Sequence, residues 1–306
     1  MTPAYRHRQS HLARVEERYF YLFISPWILG FFVFSAGPIL ASLVLSFTEY
    51  NIASPPRFVG LENISRLLHD PLFWQALKVT SLYSLFSVPL GIIVSLIVAL
   101  LLNQKVYGLA LFRTIYYSPS VVSGVAVSLL WMWIFNPEFG ILNYILHKLF
   151  HIQGPMWLMS EQWVIPALVL MSLWGVGGSI VIYLAGLQGI PTQLYEAAEI
   201  DGANSWYKFR SITLPLMSPV IFFNLIMGII GSFQVFTQAY VMTGGGPHYA
   251  SLFYVLYLYQ HAFQYFRMGY ASALAWVLFL IILILTLAIF RSSSLWVYYE
   301  ATTTRR

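Results

Sequence analysis

Cysteine is absent from this 306-residue chain and charge is nearly so: Asp, Glu, Lys and Arg supply 9% of the residues, against 59% hydrophobic and 18% aromatic. Without cysteine there are no disulfides, thiolate metal sites or cysteine nucleophiles. With so little charge there is no water-facing globular surface, because soluble domains carry roughly 25% charged residues. A G-x-x-x-x-G-K-[ST] phosphate loop is missing as well. The nearest glycine cluster, Gly175, Gly177 and Gly178, sits in an apolar stretch without the lysine.

What is there is apolar sequence in long runs. No Asp, Glu, Lys or Arg occurs in 19–48, 79–104, 114–137, 162–195, 211–266 or 268–290. Crossing about 30 Å of hydrocarbon takes about 20 mostly apolar residues. The runs therefore predict an all-α membrane protein with six transmembrane helices, at about 20–47, 77–102, 113–135, 163–187, 217–242 and 270–290. The first run far exceeds the core of about 7–15 residues of a secretory signal and reads as a retained helix.

Lys and Arg give the orientation. With both termini inside, the inner segments hold Arg6, Arg8, Arg14, Arg18, Lys105, Arg113, Lys208, Arg210, Arg291, Arg305 and Arg306. The outer segments hold Arg57, Arg66, Lys78, Lys148 and Arg267. Eleven of the 16 basic residues then lie inside, as the positive-inside rule requires, so both termini are expected to be cytoplasmic. Much of the +5 net charge is an inner anchor. Scattered over loops, these residues form no nucleic-acid-binding face.

The interiors of the spans hold no Asp, Glu, Lys, Arg or His. A charge at a helix centre costs about 2.5–3.5 kcal/mol on insertion scales and persists for function, so its absence disfavours a proton- or ion-driven carrier. His147, His151, His248 and His261 fall in outer segments. Ser123-Gly124 thus has no base beside it, which disfavours an intramembrane serine hydrolase. No catalytic residue, metal or cofactor is assigned.

A polar, jointed segment interrupts the apolar sequence between the fourth and fifth spans. Pro191 closes one helix and suits the start of another, with Thr192 as its cap. The short helix that follows, to about Ile200, presents Glu196, Ala197 and Ala198. The paired alanines keep one face flat for another protein's backbone, and Glu196 and Glu199 offer charge to basic residues. Gly202, after Asp201, fits the left-handed position that ends a helix. Asn204 or Ser205 can cap the next piece, which carries Lys208 and Arg210, and Pro215 marks re-entry into the membrane.

Other short patterns punctuate the chain. Phe58-Val-Gly60-Leu-Glu62-Asn63, then Asp70 and Phe73-Trp74, lie in the first outer connection, which reads as an interfacial helix with Trp74 as headgroup anchor. Phe112-Arg113-Thr114, Pro119 and Trp131 mark the third span, Gly140 and Asn143 the second outer segment, and Thr243-Gly-Gly-Gly246-Pro247 the outer end of the fifth.

The order Glu196-Ala197-Ala198, three residues, Gly202, nine residues, Ile212-Thr-Leu-Pro215 resembles the signature of membrane subunits of ABC importers. The other patterns resemble those of the carbohydrate-uptake branch, and the likeness covers about 20–291. It implies a type I permease architecture. A six-span domain over 19–291 is flanked by cytoplasmic tails, 1–18 and 292–306, and 189–216 is the cytoplasmic coupling loop. In the family that loop fits a cleft on an ATPase, which casts Glu196, Ala197, Ala198, Glu199, Asp201, Gly202, Ile212 and Pro215 as coupling residues. The resemblance also implies a second homologous permease subunit, two ABC ATPase subunits, an extracytoplasmic solute-binding protein, and a place in the cell membrane of a bacterium or archaeon.

For cargo, the fourth span offers Ser172, Trp174, Gly177, Gly178 and Tyr183, and the fifth Asn224, Gly228, Gly231, Ser232, Gln234 and Gln238. Amides, hydroxyls and small residues without charge suit a neutral polyhydroxylated molecule, and sugar permeases hold their cargo on these two spans at mid-depth. A sugar or oligosaccharide is the expected substrate. The alternatives are a phosphorylated polyol such as a glycerol phosphate and, from another class, a non-transporting membrane scaffold.

Overall fold

The computed structural model describes residues 11–104 and 107–298. The predicted inner charges Arg6, Arg8, Lys105, Arg305 and Arg306 lie outside these. Helix α1 (His11–Phe31) passes through a π turn at Phe32–Ala36 into α2 (Gly37–Ser46). It therefore starts within the stretch assigned to the N-terminal tail. A small antiparallel hairpin, β1 (Thr48–Glu49) against β2 (Arg57–Phe58), and α3 (Glu62–Leu68) lead to α4 (Pro71–Leu102). Asp70 starts α4 by accepting the Leu72 amide at 2.9 Å, and Pro71 follows where no amide partner is needed.

The six apolar runs become four unbroken candidate spans and two bent ones. The spans predicted at 113–135 and 163–187 are each bent within their length. The third span is α5 (Leu109–Tyr117) and α6 (Gly124–Ile134), with a 102° bend after a 3-10 turn at Ser118–Val121. Pro119 sits in that turn and lacks the amide that an α-helix would use. The fourth is α8 (Val164–Trp174) and α9 (Gly177–Gln188), bent by 50° at Gly175–Val176. The fifth is displaced from 217–242. Here α11 (Ser205–Lys208), a π turn at Phe209–Thr213 and α12 (Leu214–Phe233) form one helix of 29 residues. Pro215 consequently ends nothing: the π turn before it changes the bonding pattern where its ring would meet the carbonyl four residues back. The remaining helices are α7 (Ile141–Phe150), α10 (Thr192–Ile200), α13 (Tyr254–Tyr259), which runs on through a π turn at Gln260–Gln264, and α14 (Met268–Trp296).

Helix α4 is the hub, packed against α8, α9 and α12, while α14 packs on α2 and α12. Two hydrophobic clusters result. One gathers Phe73, Val79, Tyr83, Leu168, Tyr254, Tyr257 and Tyr270. The other, at the end nearer α10, gathers Ala99, Leu102, Tyr183, Leu187, Ile190 and Met217.

The outer-connection motif holds the first cluster's end together. Buried Asn63 donates to the Ser46 and Thr48 carbonyls, each at 2.9 Å. The second Asp70 oxygen accepts the Tyr257 hydroxyl and, at 3.0 Å, that of Tyr270. Burial by itself would raise the Asp70 carboxyl, but the bonds from Tyr257, the Leu72 amide and Tyr270 outweigh it and hold the group below the usual carboxylate range. Next to them the buried His261 imidazole stands among Tyr257, Tyr265 and Tyr270. Burial first, then Arg267, push it down to about 4 against the pull of Asp70.

Both shifts act in one direction. A depressed carboxylate contributes stability above its unfolded pKa and loses it as pH falls through the folded value. A His held neutral loses stability below about pH 6.5, where the unfolded chain takes up a proton that the folded chain refuses. Thermal unfolding in detergent is expected to show stability falling from about pH 6.5 towards pH 4, and His261→Phe to flatten that fall. An unaltered slope in the variant would refute the assignment.

Candidate functional site

A cavity of about 380 Å³ separates the two clusters. Its walls are Tyr83, Ser87 and Gly91 of α4, Ser172 of α8, Ser179 and Tyr183 of α9, and Asn224, Gly228, Gly231 and Ser232 of α12, with Val88, Ile92 and Met227 between them. None of the described lining residues is charged. Among the described residues no group of three or more His, Cys, Asp or Glu is placed to hold a metal ion.

Of the pathway residues expected from sequence, Ser172, Tyr183, Asn224, Gly228, Gly231 and Ser232 meet at this cavity. Trp174, Gly177, Gly178, Gln234 and Gln238 are not on its lining, for identifiable reasons. Trp174 stands edge-on to Trp131 at 6.2 Å. A Cβ on Gly177 would come within 2.6 Å of the Tyr116 carbonyl oxygen, so this glycine lets the breaks of the third and fourth spans touch. Gly178 faces open space. Gln234 is exposed just beyond the end of α12, and Gln238 stays at the rim, close to the Tyr83 hydroxyl.

The glycines of α12 differ among themselves. A Cβ on Gly228 would lie 3.0 Å from Val88, so this residue sets the approach of α12 to α4, whereas Gly231 has nothing within 4 Å of the same point. On α9, a Cβ at Gly186 would reach 2.9 Å from Val220 of α12. The Ser84 and Ser232 hydroxyls bond at 2.7 Å and tie the second span to the fifth.

The second span's share was missed in the sequence reading, although a signal exists. Thr80, Ser84, Ser87, Gly91 and Ser95 recur every three or four residues, the spacing of one helix face. In an otherwise greasy span, that stripe marks the side turned from lipid.

The jointed segment is built as a hairpin of helices. Pro191 precedes α10 and Thr192 is its first residue, with no side-chain cap bond, so Thr192 is not the predicted cap. Gly202 adopts a φ of +79°. Its amide reaches the Glu199 carbonyl at 3.0 Å and the Ala203 amide the Ala198 carbonyl at 2.8 Å, closing the last turn of α10. Asn204, rather than Ser205, caps the next helix by accepting the Tyr207 amide at 2.8 Å. Two contacts brace α10 against the fifth span: Lys208 to Glu199 at 2.6 Å and the Tyr195 hydroxyl to Thr213 at 2.9 Å.

The predicted coupling residues divide accordingly. Glu196, Ala197, Asp201 and Gly202 are exposed, and Ala198 is half-buried. Glu199 serves Lys208 within the chain, while Glu196 has no ion pair among the described residues. Ile212 packs against the second cluster and Pro215 is half-buried, so both face the bundle. Sequence reasoning overlooked the apolar cap of the joint: Ile200 is 88% exposed, Trp206 66% and Tyr207 61%. Large apolar groups gathered in a polar loop are a mark of an interaction surface, and that was their signal.

Comparison with known proteins agrees with this architecture. The family described as "Binding-protein-dependent transport system inner membrane component" matches residues 87–295. The probable ABC transporter permease protein YesP of Bacillus subtilis (strain 168) is 45% identical over 285 residues, 92% of this chain and 92% of that protein. The lactose transport system permease protein LacF of Rhizobium radiobacter is 36% identical over 285 residues, 91% and 95% of the two chains. Among solved structures, a bacterial ABC transporter involved in the import of the acidic polysaccharide alginate has a chain that superposes with a TM-score of 0.81. That match covers 93% of this chain and 99% of the other at 24% identity, a likeness of fold. Another match at TM-score 0.81 is to an alginate ABC transporter crystallised in complex with an alginate pentasaccharide-bound periplasmic protein. This chain belongs to the family of inner-membrane components of binding-protein-dependent transport systems, and it is a multi-pass permease of the ABC-importer type.

Proposed function

We propose that this permease forms half of the translocation pathway for a sugar or oligosaccharide and receives the thrust of ATP hydrolysis through the joint at Thr192–Ile200. One observation carries the reading: Ser205–Phe233 is a single helix with the joint at one end and the cavity wall of Gly228, Gly231 and Ser232 near the other. At 1.5 Å per residue, the distance from Ser205 to Gly231 is about 39 Å. A partner that moves the joint moves the wall.

On this reading the joint and both termini lie in the cytoplasm, in keeping with the distribution of Lys and Arg. Two ABC ATPase subunits grip the joint, with Glu196 offering charge and Ile200, Trp206 and Tyr207 apolar area. A second, homologous permease closes the open side of the cavity, and an extracytoplasmic solute-binding protein delivers cargo. This subunit does no covalent chemistry. Carbohydrate cargo is supported by the uncharged, hydroxyl- and amide-bearing lining and by relatives named for lactose and arabinooligosaccharide transport. A glycerol phosphate is less well served, since the lining offers it no Lys or Arg.

The test is uptake by the whole transporter in proteoliposomes: this chain, its partner permease, the ATPases and the binding protein. ATP-dependent uptake of a neutral oligosaccharide, with ATPase activity stimulated by loaded binding protein, is expected. Uptake of glycerol phosphate alone would overturn the cargo, and no ATP-dependent uptake of either would leave only a scaffold.

A further inference from the structure

We infer that the second span supplies a substrate-contacting wall of the cavity, in which Tyr83 and Ser87 of α4, with Tyr183 of α9 at the opposite end, hydrogen-bond a neutral polyhydroxylated cargo. This rests on the carbohydrate reading above and extends it to a second-span wall, Tyr83 and Ser87, that lies outside the fourth and fifth spans' predicted set.

Three observations carry it. First, Tyr183 is 0% exposed and its hydroxyl has no hydrogen-bond partner among the described residues, although the side chain lines the cavity. An unmade hydrogen bond in a buried place is costly, and proteins rarely leave one without a use. Transport cargo rich in hydroxyls supplies the missing acceptor once the cavity wall moves and uncovers this oxygen. Second, Tyr83 is 3% exposed and lines the cavity, with its hydroxyl beside Ser172, Gln238 and Ser87. Hydroxyls of α4 and α8 thus share one stretch of the cavity wall, an arrangement suited to bonding a polyhydroxylated ligand.

Third, the length fits. Tyr83 to Ile92 follows the cavity along α4 for about 14 Å at 1.5 Å per residue, long enough to pass more than one sugar ring. Tyr183 stands at the end nearer the joint, in the cluster with Leu187 and Ile190. The Ser84–Ser232 bond at 2.7 Å makes this wall move with the fifth span, so the same displacement that reshapes one side of the site reshapes the other.

The chain's lack of cysteine makes a direct test available. Ser87→Cys introduces one thiol, and a control, Ser95→Cys, places one on the same face where the residue is 0% exposed and off the cavity. The assembled transporter is treated with a small water-soluble maleimide, and labelling is read on this chain by gel. The saccharides are neutral di- to tetrasaccharides of arabinose, galactose and glucose, delivered on the binding protein. The Ser87→Cys variant is expected to label, and the saccharide that the wild type takes up to slow that labelling several-fold. The Ser95→Cys control is expected to stay unlabelled.

In parallel, Tyr83→Phe and Tyr183→Phe each remove one oxygen and keep the ring. Each is expected to raise the KM of uptake about 2- to 10-fold, the worth of one net hydrogen bond, with ATPase retention unchanged. A loss of maximal rate at constant KM would be structural and would overturn the assignment. So would labelling of the Ser87→Cys variant that saccharide does not slow. Wild-type uptake with these variants behaving as wild type refutes this inference alone. Uptake of no saccharide by the wild type refutes the carbohydrate reading and this inference with it.

Discussion

Gly202→Pro is expected to abolish uptake while the chain still inserts, and together with Glu196→Lys to release the ATPase. Gly202 holds a φ of +79°, and proline is locked near −65°, so the turn that closes α10 cannot form around it. The substitution also removes the amide that reaches the Glu199 carbonyl at 3.0 Å. Because Lys208–Glu199 and Tyr195–Thr213 brace α10 against the fifth span, loss of the turn loosens the lever from its seat, while the buried members of both hydrophobic clusters lie outside α10. Gly202→Asn, which tolerates the left-handed region, is expected to keep most activity. Gly202→Ala, at about 1–2 kcal/mol of strain, is expected to fall between. Glu196→Lys adds a reversed charge on an exposed position, where the folding cost is small. Uptake by the double variant is expected to drop more than about tenfold, equivalent to over 1.4 kcal/mol of coupling. The checks are co-purification of the ATPase with the tagged chain and uptake in proteoliposomes; normal retention of the ATPase by the double variant would refute docking at the joint.

Gly231→Leu is the second large effect, and it separates the cavity from the packing. Nothing lies within 4 Å of where its Cβ would be, so the side chain grows into the cavity rather than into a neighbour. In a helix interior leucine also replaces glycine with a gain of roughly 0.8 kcal/mol. The variant is therefore expected to fold as well as the wild type, hold its ATPase, and lose uptake by at least about tenfold, since the open space left for cargo is taken. Gly228→Leu should behave differently. It drives a side chain onto Val88, 3.0 Å from the Cβ point, and overpacking of that kind costs about 1–3 kcal/mol; reduced yield and a lower melting temperature are expected there. Ser232→Phe would confuse the two, because it fills space and breaks the buried bond to Ser84. Unchanged uptake in Gly231→Leu would remove this cavity from the pathway.

Much of this was legible beforehand because hydrocarbon imposes a strict length and polarity on whatever crosses it. The charge-free runs marked each candidate span, although the fifth is shifted towards the joint. The joint was equally readable: Pro191, Gly202 and Asn204 each carry a local backbone preference that needs no tertiary partner. Breaks inside the spans were harder to read. Pro119 breaks its span and Pro215 does not, since a π turn re-aims the bonds beside the second. Ser172 and Ser232 were found among the hydroxyl, small and aromatic residues of apolar helices, but Trp174 and Gly177 share that description and stand against the third span instead.

Sequence alone determined that the chain is a bundle of apolar helices interrupted by one polar hinge, because hydropathy and turn chemistry act over neighbouring residues. The tertiary structure decided which small and polar residues surround a shared void. Whether a glycine opens space, as Gly231 does, or closes it, as Gly228 does against Val88, depends on what a distant helix places opposite, and no pattern within one helix encodes that.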